Sequence, residues 1–141
     1  MFKKLIKGRL EPLPGVLELL AGLGDAGVRK AVVSSSPLDR VNASLEEVGL
    51  LLEFDVVLSG DCCSRGKPDP QPFLFAAERL GVKPSECVVI EDAEAGILAA
   101  KTARMKCVAV KSPHTFGQDL SKADLIVESL LEVNVGLMMG L

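Results

Sequence analysis

The chain alternates short, continuously apolar runs with longer amphipathic stretches. Apolar residues recur at helical spacing in the amphipathic stretches, which are residues 16–23, 37–48, 71–80 and 95–103. The apolar runs are short enough to be strands, and they are residues 30–33, 55–58, 87–90, 107–110 and 124–127. Strands and helices in regular order predict a parallel sheet whose strands are joined by right-handed crossovers.

The predicted strands are apolar at successive positions and do not alternate between apolar and polar residues. This pattern is typical of a sheet that is covered on both faces. We therefore predict a doubly wound, three-layer α/β fold with a parallel sheet. A length of 141 residues fits one domain, and a hydrophobic fraction of 48% supplies enough apolar material for its core.

Composition narrows the classes of function. Aromatic residues make up only 4% of the chain, with no Trp or Tyr, which disfavours base stacking. The net charge of -3 argues against a dedicated nucleic-acid binder. Apolar runs are far shorter than the ~20 residues of a membrane span, and the first residues do not resemble a secretory signal. We expect neither nucleic acid nor membrane as a partner.

The four cysteines show neither the spacing of a zinc site nor the density of a disulfide scaffold. A reduced, cytoplasmic setting is the simplest interpretation. Cys87 and Cys107 each open an apolar run, so we expect them to be small core residues. The adjacent pair Cys62 and Cys63 is interpreted as a loop detail, with a redox pair as the alternative.

Polar residues follow the predicted strands at the points where those strands end. Ser34 and Ser35 follow the strand 30–33, Lys67 follows the strand 55–58 across a loop, and Glu91 and Asp92 follow the strand 87–90. In doubly wound sheets the ligand crevice lies beyond the carboxyl ends of the strands. These side chains are therefore expected to meet at one edge of the sheet.

Their chemistry suits a phosphoryl group and a divalent metal. Ser34 could donate its hydroxyl to a phosphoryl oxygen, aided by N–H groups at the start of the next helix. Lys67 could offset negative charge, and Glu91 and Asp92 are oxygen ligands of the kind that Mg²⁺ takes. Each feature also has a structural interpretation: a helix cap for the serines, a solvated turn for the lysine, and helix N-terminal charges for the acids. The combination at one sheet edge favours the phosphate site. His114 is interpreted as a loop residue.

Three ordered motifs resemble the haloacid dehalogenase superfamily, most closely its β-phosphoglucomutase-like branch of phosphatases and phosphomutases. They are Val32-Val33-Ser34, Gly66-Lys67-Pro68-Asp69-Pro70 and Val88-Val89-Ile90-Glu91-Asp92-Ala93-Glu94-Ala95-Gly96. The resemblance implies a Rossmann-like core in which Ser34 and Lys67 are catalytic residues. It implies that Ser34, the Ser35 backbone N–H and Lys67 bind phosphate. It also implies that Asp92 and Glu91 hold Mg²⁺.

The chain departs from the family pattern in three places. No Asp-x-Asp occurs in the 141 residues, whereas the family's first motif carries its nucleophile and its general acid/base there. Ala93 stands where the family often has Ser. Arg104 stands where it often has Gly, which we expect to disturb helix–strand packing.

The resemblance implies Mg²⁺-dependent phosphoryl transfer on a small phosphorylated metabolite, with a sugar phosphate as the expected substrate class. Without the aspartate nucleophile, the chain is expected to be inactive alone, because covalent transfer needs a positioned carboxylate. A non-catalytic phosphate- or metal-binding remnant that acts through association is the alternative. A flavodoxin-like domain with coincidental motifs is a third.

The N-terminal segment is interpreted as what remains of a cap domain, in a chain truncated at its N-terminus. Residues 1–13 would be the cap remnant, with Phe2–Leu10 as its last helix, and residues 14–141 the core domain. The alternative makes Phe2–Ile6 a remnant of the family's first strand. That strand lies centrally in the family, so its loss would leave a slot about one strand wide. We predict that the slot is filled by the N-terminal segment, closed by a re-paired sheet, or completed by another chain. An exposed sheet edge would favour a homo-oligomer.

Overall fold

The computed structural model describes residues 4–7, 15–47, 53–112 and 115–141. The strands are β1 (Lys4–Lys7), β2 (Arg29–Val33), β3 (Val56–Leu58), β4 (Cys87–Glu91), β5 (Lys106–Val110) and β6 (Leu125–Val127). The helices are α1 (Val16–Asp25), α2 (Leu38–Glu47), α3 (Gln71–Leu80), α4 (Glu94–Thr102) and α5 (Val135–Met139), with 3₁₀ turns at Pro84–Glu86 and Leu130–Glu132. The five strands and four helices predicted from residue 16 onward all occur, with boundaries shifted by a few residues.

A single parallel sheet organises the described residues, with strand order β3-β2-β1-β4-β5-β6. The crossovers from β1 to β2, β2 to β3, β4 to β5 and β5 to β6 lead to a parallel neighbour. The crossover from β3 to β4 instead passes over β2 and β1 to the other half of the sheet, which is the reversal that a doubly wound fold requires. The carboxyl ends of β2 and β4 lie on either side of β1, because β1 pairs in parallel with both of these strands. The predicted α/β fold class is confirmed.

The N-terminal segment corrects one prediction and confirms another. The helix expected over Phe2–Leu10 is wrong for Lys4–Lys7, which forms the central strand β1 between β2 and β4. The backbone groups of the two flanking strands need partners, and four extended residues in the slot supply them. Of the three outcomes predicted for the slot, the first occurs: the N-terminal segment fills it, and Lys4–Lys7 belongs to the core sheet. The rest of the proposed cap remnant 1–13 lies outside the described residues.

The core consists of two apolar layers, one on each face of the sheet. Val88 and Ile90 of β4 face the layer formed with α1, α2 and the C-terminal turn. Cys87 and Val89 face the opposite layer, formed with α3 and α4. Side chains alternate across a strand, so Glu91 continues the side of Cys87 and Val89, toward α3 and α4. The alternation therefore directs the Glu91 side chain, which carries a carboxyl group, into an otherwise apolar layer.

Three further expectations can be compared with the structure. Cys87 and Cys107 are fully buried, which confirms their placement in the core. Arg104 has an exposed side chain and a left-handed backbone, with φ of 64°, so its departure from glycine affects the backbone and not the packing. Within the described ranges, every helix is too short or too polar to cross a bilayer.

Candidate functional site

The predicted site residues lie at the carboxyl ends of neighbouring strands. Ser34 follows β2, Glu91 is the last residue of β4, and Asp92 comes directly after it. Lys67 lies in the loop between β3 and α3. That loop is closed by the backbone bond from Asp69 N to Gly66 O, at 2.9 Å. The sheet thus brings four residues toward one edge from three separate parts of the chain.

Lys67 reaches from its loop across the sheet edge to β4. Its Nζ donates to Glu91 Oε2 at 3.2 Å and to the carbonyl oxygen of Val33 at 3.2 Å. The ammonium also lies 5.4 Å from the centre of the Phe73 ring, which is fully buried at the start of α3. Only 10% of the Lys67 side chain is exposed, so its charge is held in a fixed place at low solvent contact.

Glu91 is the buried partner of this ion pair. Its side chain is 1% exposed, and its second oxygen, Oε1, accepts from the Asp92 backbone N–H at 3.1 Å. Burial raises the pKa of Glu91, while the neighbouring Lys67 ammonium opposes that rise. Gly96 of α4 lies so close that a Cβ there would overlap the Glu91 carboxyl group. The glycine therefore makes room for the acid.

The serine segment after β2 is held in shape by backbone contacts. Ser34 N donates to Leu58 O at 3.0 Å, and Gly60 N donates to Ser36 O at 2.8 Å. The Ser34 hydroxyl oxygen accepts from Ser36 N at 3.1 Å. A hydroxyl has a donor as well as acceptor sites, so Ser34 can still donate its proton to a ligand.

Ser34, Ser35 and Lys67 line one cavity of about 140 Å³. Its wall also includes Cys62 and Cys63 from the loop after β3. Pockets for drug-sized ligands measure roughly 300–1,000 Å³, so this cavity suits a small group such as a phosphate. Serine hydroxyl, backbone N–H and lysine ammonium are donors that a phosphoryl group accepts from.

Asp92 is not among the residues that line this cavity. Its side chain is buried, with the residue 1% exposed, and Oδ2 accepts from the Ser112 hydroxyl at 2.9 Å. Ser112, two residues beyond β5, was not singled out from the sequence. Its position after a parallel strand is the signal that could have identified it. His114 lies outside the described residues.

The donor set can be compared with the needs of Mg²⁺. In the part of the chain that the structure describes, no group of three or more His, Cys, Asp or Glu side chains is placed to hold a metal ion. Mg²⁺, however, is typically held by one or two carboxylates together with waters and substrate phosphate. Adjacent Glu91 and Asp92 fit that smaller requirement, although both Glu91 oxygens already accept hydrogen bonds.

Comparison with known proteins gives consistent results. The chain is 42% identical over 119 residues to validoxylamine A 7'-phosphate phosphatase of Streptomyces hygroscopicus subsp. limoneus, covering 84% of this chain and 55% of that protein. A CbbY variant of Rhodobacter sphaeroides, solved with xylulose-(1,5)bisphosphate, superposes with a TM-score of 0.83 at 30% identity. The match covers 88% of this chain and 57% of the CbbY chain. β-Phosphoglucomutase of Clostridium difficile superposes with a TM-score of 0.79 at 32% identity, covering 91% and 55%.

The chain spans about half the length of these relatives. The sequence pattern of the haloacid dehalogenase-like hydrolases matches residues 2–104, which is well over half of the chain. The fold, the ordered motifs and the solved relatives all agree with that match. The chain belongs to the haloacid dehalogenase-like hydrolase family, in its phosphatase and phosphomutase branch.

Proposed function

We propose that the cavity binds the phosphoryl group of a small phosphorylated metabolite and that the neighbouring acids hold Mg²⁺. The observation that carries this proposal is the joint presence of Ser34 and Lys67 in one small cavity, with Lys67 tied to Glu91. A largely buried ammonium needs a partner, because burying charge is unfavourable unless the charge is paired. The ion pair with Glu91 offsets that cost and sets the direction of the ammonium.

Each residue has a defined role in this proposal. Ser34 donates its hydroxyl and Ser35 its backbone N–H to phosphoryl oxygens. Lys67 places positive charge against the same oxygens, where a fixed charge stabilises developing negative charge. Asp92 is the direct carboxylate ligand of Mg²⁺. Glu91 supports the metal site from the adjacent position and keeps Lys67 in place through their ion pair. When bound, Mg²⁺ would neutralise charge on the phosphoryl oxygens.

The substrate class follows from the relatives. One relative is named validoxylamine A 7'-phosphate phosphatase, and another was solved in complex with xylulose-(1,5)bisphosphate. Both names describe phosphate esters of polyhydroxylated compounds. We propose a sugar phosphate or a close analogue as the ligand of this chain. A cytoplasmic setting and a homo-oligomer remain predictions.

The reaction itself needs an attacking group. The 141 residues contain no Asp-x-Asp, and covalent phosphoryl transfer requires a positioned carboxylate nucleophile. We therefore expect these residues by themselves to show no turnover of p-nitrophenyl phosphate with Mg²⁺. Turnover that is lost in an Asp92→Ala variant would contradict this expectation and show that another residue serves as nucleophile.

A second candidate function keeps the binding and omits the chemistry. It is favoured by the central strand β1, Lys4–Lys7, which completes the sheet with the sequence Lys-Leu-Ile-Lys and no acid. In this alternative the chain binds phosphate or metal and acts through association. Phosphate binding without turnover, together with a stable complex in gel filtration, would favour this candidate.

Calorimetric titration with inorganic phosphate in the presence of MgCl₂ tests the binding proposal. Lys67→Met removes the ammonium, and a hydrogen bond to a charged group contributes about 1.5–3 kcal/mol, so affinity should fall by roughly 10- to 100-fold. Lys122→Met, which removes an equal charge from an exposed position, is the matched control and should bind as the parent does. Equal affinity in both variants, or no binding by the parent protein, would overturn the proposal.

A further inference from the structure

Two adjacent cysteines in the wall of the phosphate cavity are not used by the proposed function. The Cys62 and Cys63 sulfur atoms lie 2.8 Å apart, and both residues are half-buried. A disulfide bond is about 2.05 Å long, so the two sulfurs need to approach by less than 1 Å. The sequence favoured a loop detail here, but this distance brings the two thiols within reach of a bond.

Accessibility separates this pair from the other cysteines. Cys87 and Cys107 are fully buried in the apolar layer against α3 and α4. Cys62 and Cys63 line the cavity instead and are partly open to small molecules that enter it. An oxidant that attacks the folded protein therefore meets this pair first.

We propose that Cys62 and Cys63 form a redox-active dithiol that closes to a disulfide between neighbouring residues, beside the site that binds phosphate. The oxidant is a small disulfide such as oxidised glutathione. One cysteine thiolate attacks a glutathione sulfur, forms a mixed disulfide and releases one glutathione. The second cysteine then loses its proton and attacks the protein sulfur of the mixed disulfide, which releases the other glutathione. The protein loses two hydrogen atoms, and oxidised glutathione is reduced to two glutathione molecules.

The resulting bond should be readily reversible. Neighbouring Cα atoms are about 3.8 Å apart across a trans peptide, below the roughly 4.4–6.8 Å usual for disulfides. A ring closed over that distance is strained, and strained disulfides have higher reduction potentials and are the labile, regulatory ones. The bond is therefore expected to open in a reducing buffer and to form only when the glutathione pool is oxidised.

The surroundings also set the rate of oxidation. Burial and the neighbouring Cys62 raise the pKa of Cys63 to about 12. A thiol with a raised pKa is mostly protonated at neutral pH, and only the thiolate attacks a disulfide. Closure should therefore be slow at neutral pH and faster in alkaline buffer.

Mass spectrometry of the full chain tests the proposal directly. Trypsin releases residues 41–65 as one peptide, which contains Cys62 and Cys63 and no other cysteine. After incubation with oxidised glutathione and blocking of free thiols, this peptide should lack two hydrogens, carry no blocking group, and return to two blocked thiols after dithiothreitol. The Cys63→Ser variant should stop at a mixed disulfide with glutathione. Two unmodified thiols in the parent protein, or stable mixed disulfides in place of the closed ring, would overturn the proposal.

Phosphate titration of the reduced and oxidised protein tests what the pair does to the cavity, and this step rests on the proposed function. Closure changes the positions of two side chains in the wall of a cavity of only about 140 Å³, so we expect the oxidised protein to bind phosphate with a different, weaker affinity. Equal affinity in the two states would contradict the coupling. Absence of phosphate binding in both states would refute the proposed function, while the peptide masses would still decide the dithiol proposal.

Discussion

Gly96→Ala should break the buried ion pair of the site without touching either of its charges. A Cβ at position 96 would overlap the Cγ, Cδ and Oε2 atoms of Glu91. Glu91 must then move away from Lys67 Nζ, now 3.2 Å distant, and from the Asp92 backbone N–H at 3.1 Å. The two charged side chains are 10% and 1% exposed, so water cannot readily replace the lost partners.

The magnitude follows from two known effects. Overpacking a core costs about 1–3 kcal/mol, and leaving a buried charge without its partner costs about 3–5 kcal/mol. Since Glu91 can move part of the way and keep some contact, we expect a loss of about 3 kcal/mol in the free energy of unfolding. For a domain of this size that corresponds to a fall in Tm of about 10 °C.

Urea and thermal unfolding measure this loss. Gly22→Ala is the matched control, because its Cβ would meet only Val135 Cγ2, at an ordinary 3.6 Å, within helix α1. Alanine also has the better helix propensity, by about 1 kcal/mol, so the control should be as stable as the parent or more so. A Gly96→Ala protein within about 0.5 kcal/mol of the parent, inside the range of a neutral surface change, would refute the reasoning.

Substitutions at three further positions test other parts of the structure. Glu91→Gln removes the titrating group. Because burial raises the pKa of Glu91, the folded parent binds more protons than the unfolded chain once the pH exceeds roughly 4. In urea unfolding, the stability of the parent relative to Glu91→Gln should therefore fall as the pH rises from there through the pKa of the folded state. A difference that stays flat or grows with pH would contradict the burial of this acid. Arg104→Gly relieves a left-handed backbone and should raise stability by about 1 kcal/mol, and an unchanged urea midpoint would argue against strain there. Phe73→Ala empties a fully buried position beneath the Lys67 ammonium and should cost about 3–5 kcal/mol, whereas Phe73→Leu should cost clearly less; equal losses would show that volume is not the issue.

The grouping of polar residues at the sheet edge could be predicted from the sequence, because the sequence pattern that indicates it is local. Each apolar run is followed by its polar residues, and parallel strands end on one side, so Ser34, Lys67 and Glu91 could be grouped without coordinates. The contacts within the group could not be predicted. Val33 contributes a backbone oxygen to Lys67, and Phe73 contributes its ring, through loop geometry that no spacing in the sequence encodes.

The N-terminal strand shows where local patterns fail. Phe2, Leu5 and Ile6 have helical spacing, and a stretch this short does not distinguish helix from strand. The outcome is decided by β2 and β4, which pair with Lys4–Lys7 from both sides and are distant in sequence. Non-local pairing overrides local preference in such a slot, because unpaired backbone groups inside a sheet are costly.

The central claim is that Ser34 and Lys67 bind one phosphate group at the sheet edge where Asp92 also lies. Tungstate is a heavy analogue of phosphate, and its position in a crystal can be located from anomalous scattering. We predict one tungstate in the cavity lined by Ser34 and Lys67, within hydrogen-bond distance of Ser34 Oγ and Lys67 Nζ. A cavity without tungstate at a concentration that occupies other sites, or a tungstate bound away from both residues, would contradict the account.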